Sequence, residues 1–144
     1  MDTYALLLAA TLQAGTVLAL AALGLLIDDT AGIVNVGAEG MMLCAAIAGF
    51  ACVVHTGNDW LGFAAGMGAG AVLAAIFGVL VIWLNTNQYA TGLALSLFGV
   101  GFSAFVGIGY VQEKLPQRPS FEIPFLADIP LLGSAFFKQH PLVY

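Results

Sequence analysis

The run WLGFAAGMGAGAVLAAIFGVLVIWLNTNQYATGLALSLFGVGFSAFVGIGYVQ, residues 60–112, contains no Asp, Glu, Lys or Arg. A helix needs about 20 apolar residues to cross a hydrocarbon core, so the run is long enough for two spans and must turn once. Its one polar cluster is NTNQ, Asn85 to Gln88, flanked by Trp83 and Tyr89. Aromatic side chains of this kind settle at bilayer interfaces. The pattern predicts helices over about 61–84 and 89–111.

Thr3 to Ile27 is also free of charge and predicts a first spanning helix over about 4–27. A cleaved signal peptide is the weaker reading, because Met1-Asp2 lacks a cationic start and the apolar run exceeds a signal core. Gly40 to Val54 is apolar as well and, with Ala38 and Glu39 at its start, predicts a helix over about 38–55. The hexapeptide HTGNDW, His55 to Trp60, is a polar turn. The expected architecture is an all-α, polytopic membrane bundle of about four helices, with residues 1–111 as its core. Residues 112–144 hold all three basic residues and all five prolines, and are expected to form an extramembrane loop.

Composition fits a lipid environment. Of 144 residues, 61% are hydrophobic and 8% charged, against roughly a quarter charged in a soluble domain. A net charge of −5, with Lys114, Arg118 and Lys138 as the only bases, provides no footprint for nucleic acid. Cys44 and Cys52 lie eight residues apart, about 12 Å along a helix, which is too far for a disulfide within it. They read as small packing residues.

Small residues recur at helical spacing. Gly62, Gly66, Gly70, Ala74 and Gly78 form an i, i+4 series in the third helix. Such a stripe lets a neighbouring backbone approach closely where lipid supplies no hydrophobic drive. Gly40, Cys44, Ala48 and Cys52 repeat the interval in the second helix, and Gly99, Ser103 and Gly107 extend the theme to the fourth.

Polar groups in such a chain are candidates for function, because burying them in lipid is costly. They are Gln13, Thr16, Asp28, Asp29, Asn35, Glu39, Asn85, Asn87, Gln88, Thr91 and Ser96. Asp28-Asp29 has no further acid at the next helical turn and no second aspartate cluster, so it does not read as a metal site. No His-Glu-x-x-His, Gly-x-Ser-x-Gly or phosphate-binding Gly-rich motif is present. The chain is therefore expected to do no covalent chemistry, and to carry no metal or cofactor. Between the first two helices lies GIVNVGAEGMM, Gly32 to Met42, where Asn35 and Glu39 stand four residues apart. Asn35 can cap a helix start and Glu39 can sit in its first turn, where the helix dipole favours an acid. The same residues can instead line a cavity at a broken-helix element, as in transporters. The residues alone leave both readings open.

Three segments together carry a resemblance: AALG (21–24), DDTAGIVNVGAEGMM (28–42) and NQYATGLALSLFGVGFSAFVG (87–107). In order and spacing they resemble the permease subunit of ABC importers for simple sugars and nucleosides. That family reads roughly Ala-Leu-Gly, Glu-Arg-x-Gly, Val-x-Asn-Ile-Gly-x-Glu-Gly-Met-Met and Asn-Gln-x-x-x-Gly-x-Ala-Leu-x-Leu-x-Gly. The resemblance implies two permease subunits paired in a bacterial plasma (inner) membrane and driven by cytoplasmic ABC ATPases. An extracytoplasmic lipoprotein or periplasmic protein would deliver a nucleoside or sugar, with nucleoside the favoured class. It points to Asn35, Gly37, Glu39, Gly40, Asn87, Gln88, Gly92 and Ser96 as motif and transport-path candidates. Phe98 and Phe102, one turn apart, could stack on a base but serve equally as packing.

Two features depart from that pattern. Asp29-Thr30 replaces the family's Glu-Arg, so any contact made by that arginine is missing. The resemblance also covers only the family's N-terminal half, and implies a fragment or one half of a split permease, ending where a fifth span would begin. The basic residues of 112–144 would place that loop in the cytoplasm, but three bases set against Glu113, Glu122 and Asp128 are a weak bias, and the resemblance implies the loop outside with Gly32–Met42 near the cytoplasmic face. Other classes of function compatible with the composition are a membrane scaffold that packs through its glycine stripe and a small oligomeric channel.

Overall fold

The computed structural model describes residues 2–113, 121–122 and 138–139. Its helices are α1 (Asp2–Thr30), α2 (Ala38–Thr56), α3 (Asp59–Gly78) and α4 (Gln88–Gly107). A π-helical turn, Val79–Trp83, continues α3, and a 3-10 turn, Ile108–Tyr110, continues α4. Four stretches, of 25, 19, 25 and 23 residues, are long and apolar enough to cross a membrane. The chain is an all-α, multi-pass integral membrane protein.

The chain forms two compact units, one of Met1–Ile27 with Gln117–Tyr144 and one of Asp28–Pro116. In the first, two hydroxyls of α1 are satisfied within the helix: Thr11 donates to the Leu7 carbonyl and Thr16 to that of Leu12, both at 2.8 Å. Back-bonding of this kind hides a hydroxyl inside an apolar helix. The same unit holds two short antiparallel strands, β1 (Phe121–Glu122) and β2 (Lys138–Gln139), with Phe121 opposite Gln139 and Glu122 opposite Lys138. The expected extramembrane loop 112–144 otherwise lies outside the described residues beyond Glu113.

The second unit begins at the end of α1. There Gly32 takes a left-handed φ of 79°. The Ile33 N–H donates to the Asp28 carbonyl (3.0 Å) and the Gly32 N–H to that of Asp29 (2.9 Å). This is a Schellman stop, whose hydrophobic residue after the glycine packs inward. Ile33 fills that role against the core. Gly57, left-handed at φ 64°, closes α2 by donating to the Val53 carbonyl. Asn58 then caps α3, its side-chain oxygen accepting from the Trp60 N–H at 3.0 Å. Trp60 and Trp83, both exposed, lie about 35 Å apart at 1.5 Å per residue, which suits an interface-to-interface span.

Helix α2 is central and contacts both α3 and α4 extensively. Against α3 it runs antiparallel: a Cβ on Gly66 would lie 3.0 Å from the Ala45 carbonyl oxygen, and one on Gly49 would lie 2.9 Å from that of Gly62. Against α4 it runs parallel, with Gly37 beside Gly92 and Gly40 beside Gly99. Met41, Cys44, Leu73, Phe77, Val81 and Leu95 form the buried core between the three helices.

Candidate functional site

Residues 33–35, between the Schellman stop and α2, are not helical. Backbone that leaves a helix near lipid must find other partners for its N–H and C=O groups. Here α4 supplies them. The Val34 N–H donates to Gln88 Oε1 at 2.7 Å, and Ser96 Oγ donates to the Val36 carbonyl at 3.0 Å. Asn35 lies between these two contacts. Its Oδ1 accepts from the Gly37 N–H (3.1 Å), and its Nδ2 donates to Asp28 Oδ2 (2.9 Å) and contacts Met41 Sδ at 3.8 Å.

Asn35 therefore does not cap α2. The N-cap is Gly37, which has no side-chain cap bond. The asparagine lies two residues too early and closes an Asx turn instead, which a short amide side chain does readily. Asn87 does act as a cap: its Oδ1 accepts from the N–H groups of Tyr89 (3.0 Å) and Ala90 (3.2 Å) at the start of α4.

The approach to α4 also departs from regular helix. In the π turn the Leu84 N–H reaches back to the Val79 carbonyl at 3.1 Å. Asn85 then adopts a left-handed φ of 48°, a conformation that asparagine tolerates better than most residues. The Leu80 carbonyl freed by this unwinding accepts from both the Thr86 N–H (3.1 Å) and the Thr86 hydroxyl (2.8 Å). The Thr86 proton being committed there, the Thr91 hydroxyl donates to Thr86 Oγ1 at 2.9 Å. Leu80, Ala90, Thr91, Ala94, Leu95 and Phe98 line an open groove of about 460 Å³ beside this turn. Phe98 and Phe102 stack with ring centroids 5.6 Å apart and planes 20° apart.

Of the sequence candidates, Asn35, Gly37, Gly40, Gln88, Gly92 and Ser96 are brought together at one end of the α2–α4 pair. Glu39 is not among them; it sits exposed in the first turn of α2 and its side chain makes no hydrogen bond among the described residues. In the α3 series, Gly62 and Gly66 meet α2 tightly and Gly70 meets the Ala45 methyl at an ordinary 3.7 Å. Ala74 is exposed and Gly78 has nothing within 4 Å.

Three partnerships are set by the fold. Ala45, Gly49 and Val53 form the α2 stripe that meets α3, while Gly40 of the Gly40, Cys44, Ala48, Cys52 series meets α4 at Leu95 and Gly99. On α4 the close contacts are at Gly92 and Gly99, whereas Gly107 only grazes Ile47 at 4.0 Å. Asp28 anchors Asn35 from the end of α1. The signal for it was its place just before the Ala31-Gly32 stop, where the chain doubles back within reach of its own aspartate. Among the described residues no group of three or more His, Cys, Asp or Glu is placed to hold a metal. At the opposite end of the α2–α4 pair, His55 Nε2 and Tyr110 Oη lie 3.0 Å apart, and the Tyr110 ring packs edge-on against Phe50.

The family model for the branched-chain amino acid transport system permease component matches residues 7–137. The chain belongs to this permease family. Within it, the chain is 46% identical over 96% of its length to a provisionally named glucose ABC transporter permease of Haloferax volcanii, covering 44% of that protein. It is 32% identical, over 96% of its length, to a guanosine ABC transporter permease of Bacillus subtilis, covering 47% of it. A nucleoside ABC transporter permease of Lactococcus lactis is 26% identical over 99% of the chain, which covers 48% of that protein. The chain thus spans about half the length of these curated relatives. No solved structure matches it. The hydrogen-bonded junction joins two of the three segments that carried the resemblance, 28–42 and 87–107.

Proposed function

We propose that this permease chain is part of the membrane subunit of an ATP-driven, binding-protein-dependent importer of nucleosides or simple sugars in a plasma (inner) membrane. The observation that carries the reading is the junction itself, two segments tied by side-chain to backbone bonds between residues 54 and 60 positions apart, in a chain similar to glucose and guanosine permeases. A second permease subunit, cytoplasmic ABC ATPases and an extracytoplasmic lipoprotein or periplasmic binding protein complete the machine. ATP is hydrolysed by the ATPases.

The solute path runs along an outer face of the Asp28–Pro116 unit, against another permease segment or subunit. Two facts support this placement. The space among α2, α3 and α4 is filled by apolar side chains, and the helices touch backbone to backbone at their glycines. Asn35, Glu39, Gln88 and the residues around them stand at the end of that path expected to face the cytoplasm.

The test is uptake of labelled guanosine and glucose by cells carrying the full-length permease, its ATPase and its binding protein, compared with cells lacking the permease. Loss of uptake of either solute on deletion supports the reading. Unchanged uptake of both overturns it.

A further inference from the structure

We propose that Gln88 is a positioning residue of the permease, whose side-chain carbonyl holds the α1–α2 junction in its transport-competent shape, and that it is not a solute contact. This rests on the importer reading above. Val34 is part of a non-helical segment and is exposed, so nothing in its own secondary structure protects its N–H. Gln88 Oε1 accepts that N–H at 2.7 Å, a short bond for a neutral amide pair. Ser96 Oγ holds the neighbouring Val36 carbonyl at 3.0 Å. Both groups therefore stand in for the i, i+4 bonds that a helix would have supplied, as irregular backbone near lipid requires.

Gln88 is also well held itself. It opens α4 directly after the cap Asn87, whose Oδ1 fixes the first turn. Four residues on, Gly92 brings α4 within 2.9 Å of the Gly37 backbone N–H, measured from the position of a Cβ. The strap thus joins a capped helix start to a non-helical junction. Without it, the junction loses its register on α4 at Val34 while the glycine contact below remains.

The chemistry separates this role from solute binding. The strap uses the carbonyl oxygen of Gln88, an acceptor, whereas its amide N–H groups are those that a hydroxyl-rich solute would take as donors. Gln88→Glu keeps an acceptor, and the N-terminal field of α4 favours its charge. Gln88→Leu removes the acceptor at similar bulk.

The experiment measures amide hydrogen exchange at Val34 and the kinetics of solute uptake, both with the complete full-length transporter. In the wild type, slow exchange at Val34 is expected, and fast exchange overturns the proposal without any variant. In Gln88→Leu, exchange at Val34 should quicken about tenfold or more, and the maximal uptake rate should fall about tenfold at unchanged KM. Gln88→Glu should restore both. Equal protection in Gln88→Leu, a raised KM in place of a lowered rate, or failure of Gln88→Glu to rescue would each overturn the strap. The exchange measurement needs no transport, so failure of the strap is distinguishable from failure of the importer reading.

Discussion

Gly40 and Gly99 meet backbone to backbone where α2 lies along α4, and a methyl group on Gly99 would strike the Gly40 Cα and carbonyl. Backbone is the least compliant obstacle a side chain can meet, so the helices would have to separate. Overpacking of this kind costs about 1–3 kcal/mol, partly offset by alanine's helix preference of up to about 1 kcal/mol over glycine. Gly99→Ala is expected to lower the thermal stability of the purified full-length permease. Gly101→Ala, with nothing within 4 Å, should leave it level or raise it. Equal stability of the two variants in a detergent melt would contradict the packing.

The α3 series makes a graded prediction. Gly66→Ala places a methyl 3.0 Å from the Ala45 carbonyl oxygen, Gly70→Ala meets only the Ala45 methyl at 3.7 Å, and Gly78→Ala meets nothing. Recovery of intact protein should rise in that order. Gly70→Leu, by contrast, extends a branched side chain toward the Ala45 methyl that a Cβ at Gly70 already meets at 3.7 Å, and should reduce recovery well below Gly70→Ala. If Gly66→Ala and Gly78→Ala behave alike, the seam is looser than its glycines imply.

The four helices were legible because charge is absent over long runs, a signal that lipid enforces on every residue of a span. Their contacts were much less so. A stripe such as Gly99, Ser103, Gly107 shows which face can admit a neighbour, but not which neighbour arrives or at what height. Of that stripe only Gly99 meets a neighbour closely, and the second close contact, at Gly92, lies two turns before it, on the part of α4 that Gln88 and Ser96 tie to the junction. Asn35 was legible as a polar residue with a task. Whether it capped α2 or closed a turn depended on Gly37 being the N-cap, a difference of two residues that side-chain chemistry alone does not fix. The π turn at Val79–Trp83 left no mark in the sequence, since it contains neither proline nor glycine.

Asp28 and Asn35 give a test by exchange of partners. Asn35 Nδ2 donates to Asp28 Oδ2 at 2.9 Å while Asn35 Oδ1 accepts from the Gly37 N–H at 3.1 Å. Asn35→Asp keeps the second bond but sets two carboxylates against each other. A loss of about 1–3 kcal/mol is expected. Combining it with Asp28→Asn restores a donor facing an acceptor, so the double variant should recover most of the stability lost in the single one. Simple addition of the two single effects would show that the pair is not coupled.

Topology can be read from two asparagines at opposite ends of the third span. Asn58 caps its start and Asn87 follows its end. With the α1–α2 junction on the cytoplasmic side, a cysteine at position 58 should react with an impermeant thiol reagent in intact cells, and one at 87 should not. Cys44 and Cys52 are removed first. The reverse labelling pattern would invert the orientation.

Glu39 separates insertion from transport. It is exposed in the first turn of α2 and its carboxylate makes no hydrogen bond among the described residues. Its stabilising contribution is therefore limited to the helix dipole, a few tenths to about 1 kcal/mol. Removing a charge beside a hydrophobic span eases insertion, so Glu39→Leu should reach the membrane at wild-type levels or above. Because the acid faces outward where the solute path is proposed to run, uptake through the complete transporter should nonetheless fall. Immunoblotting of membranes alongside labelled-solute uptake reads both quantities in the same cells. Wild-type uptake in Glu39→Leu would reduce the acid to a favourable charge at a helix start, and would move the path away from this turn of α2.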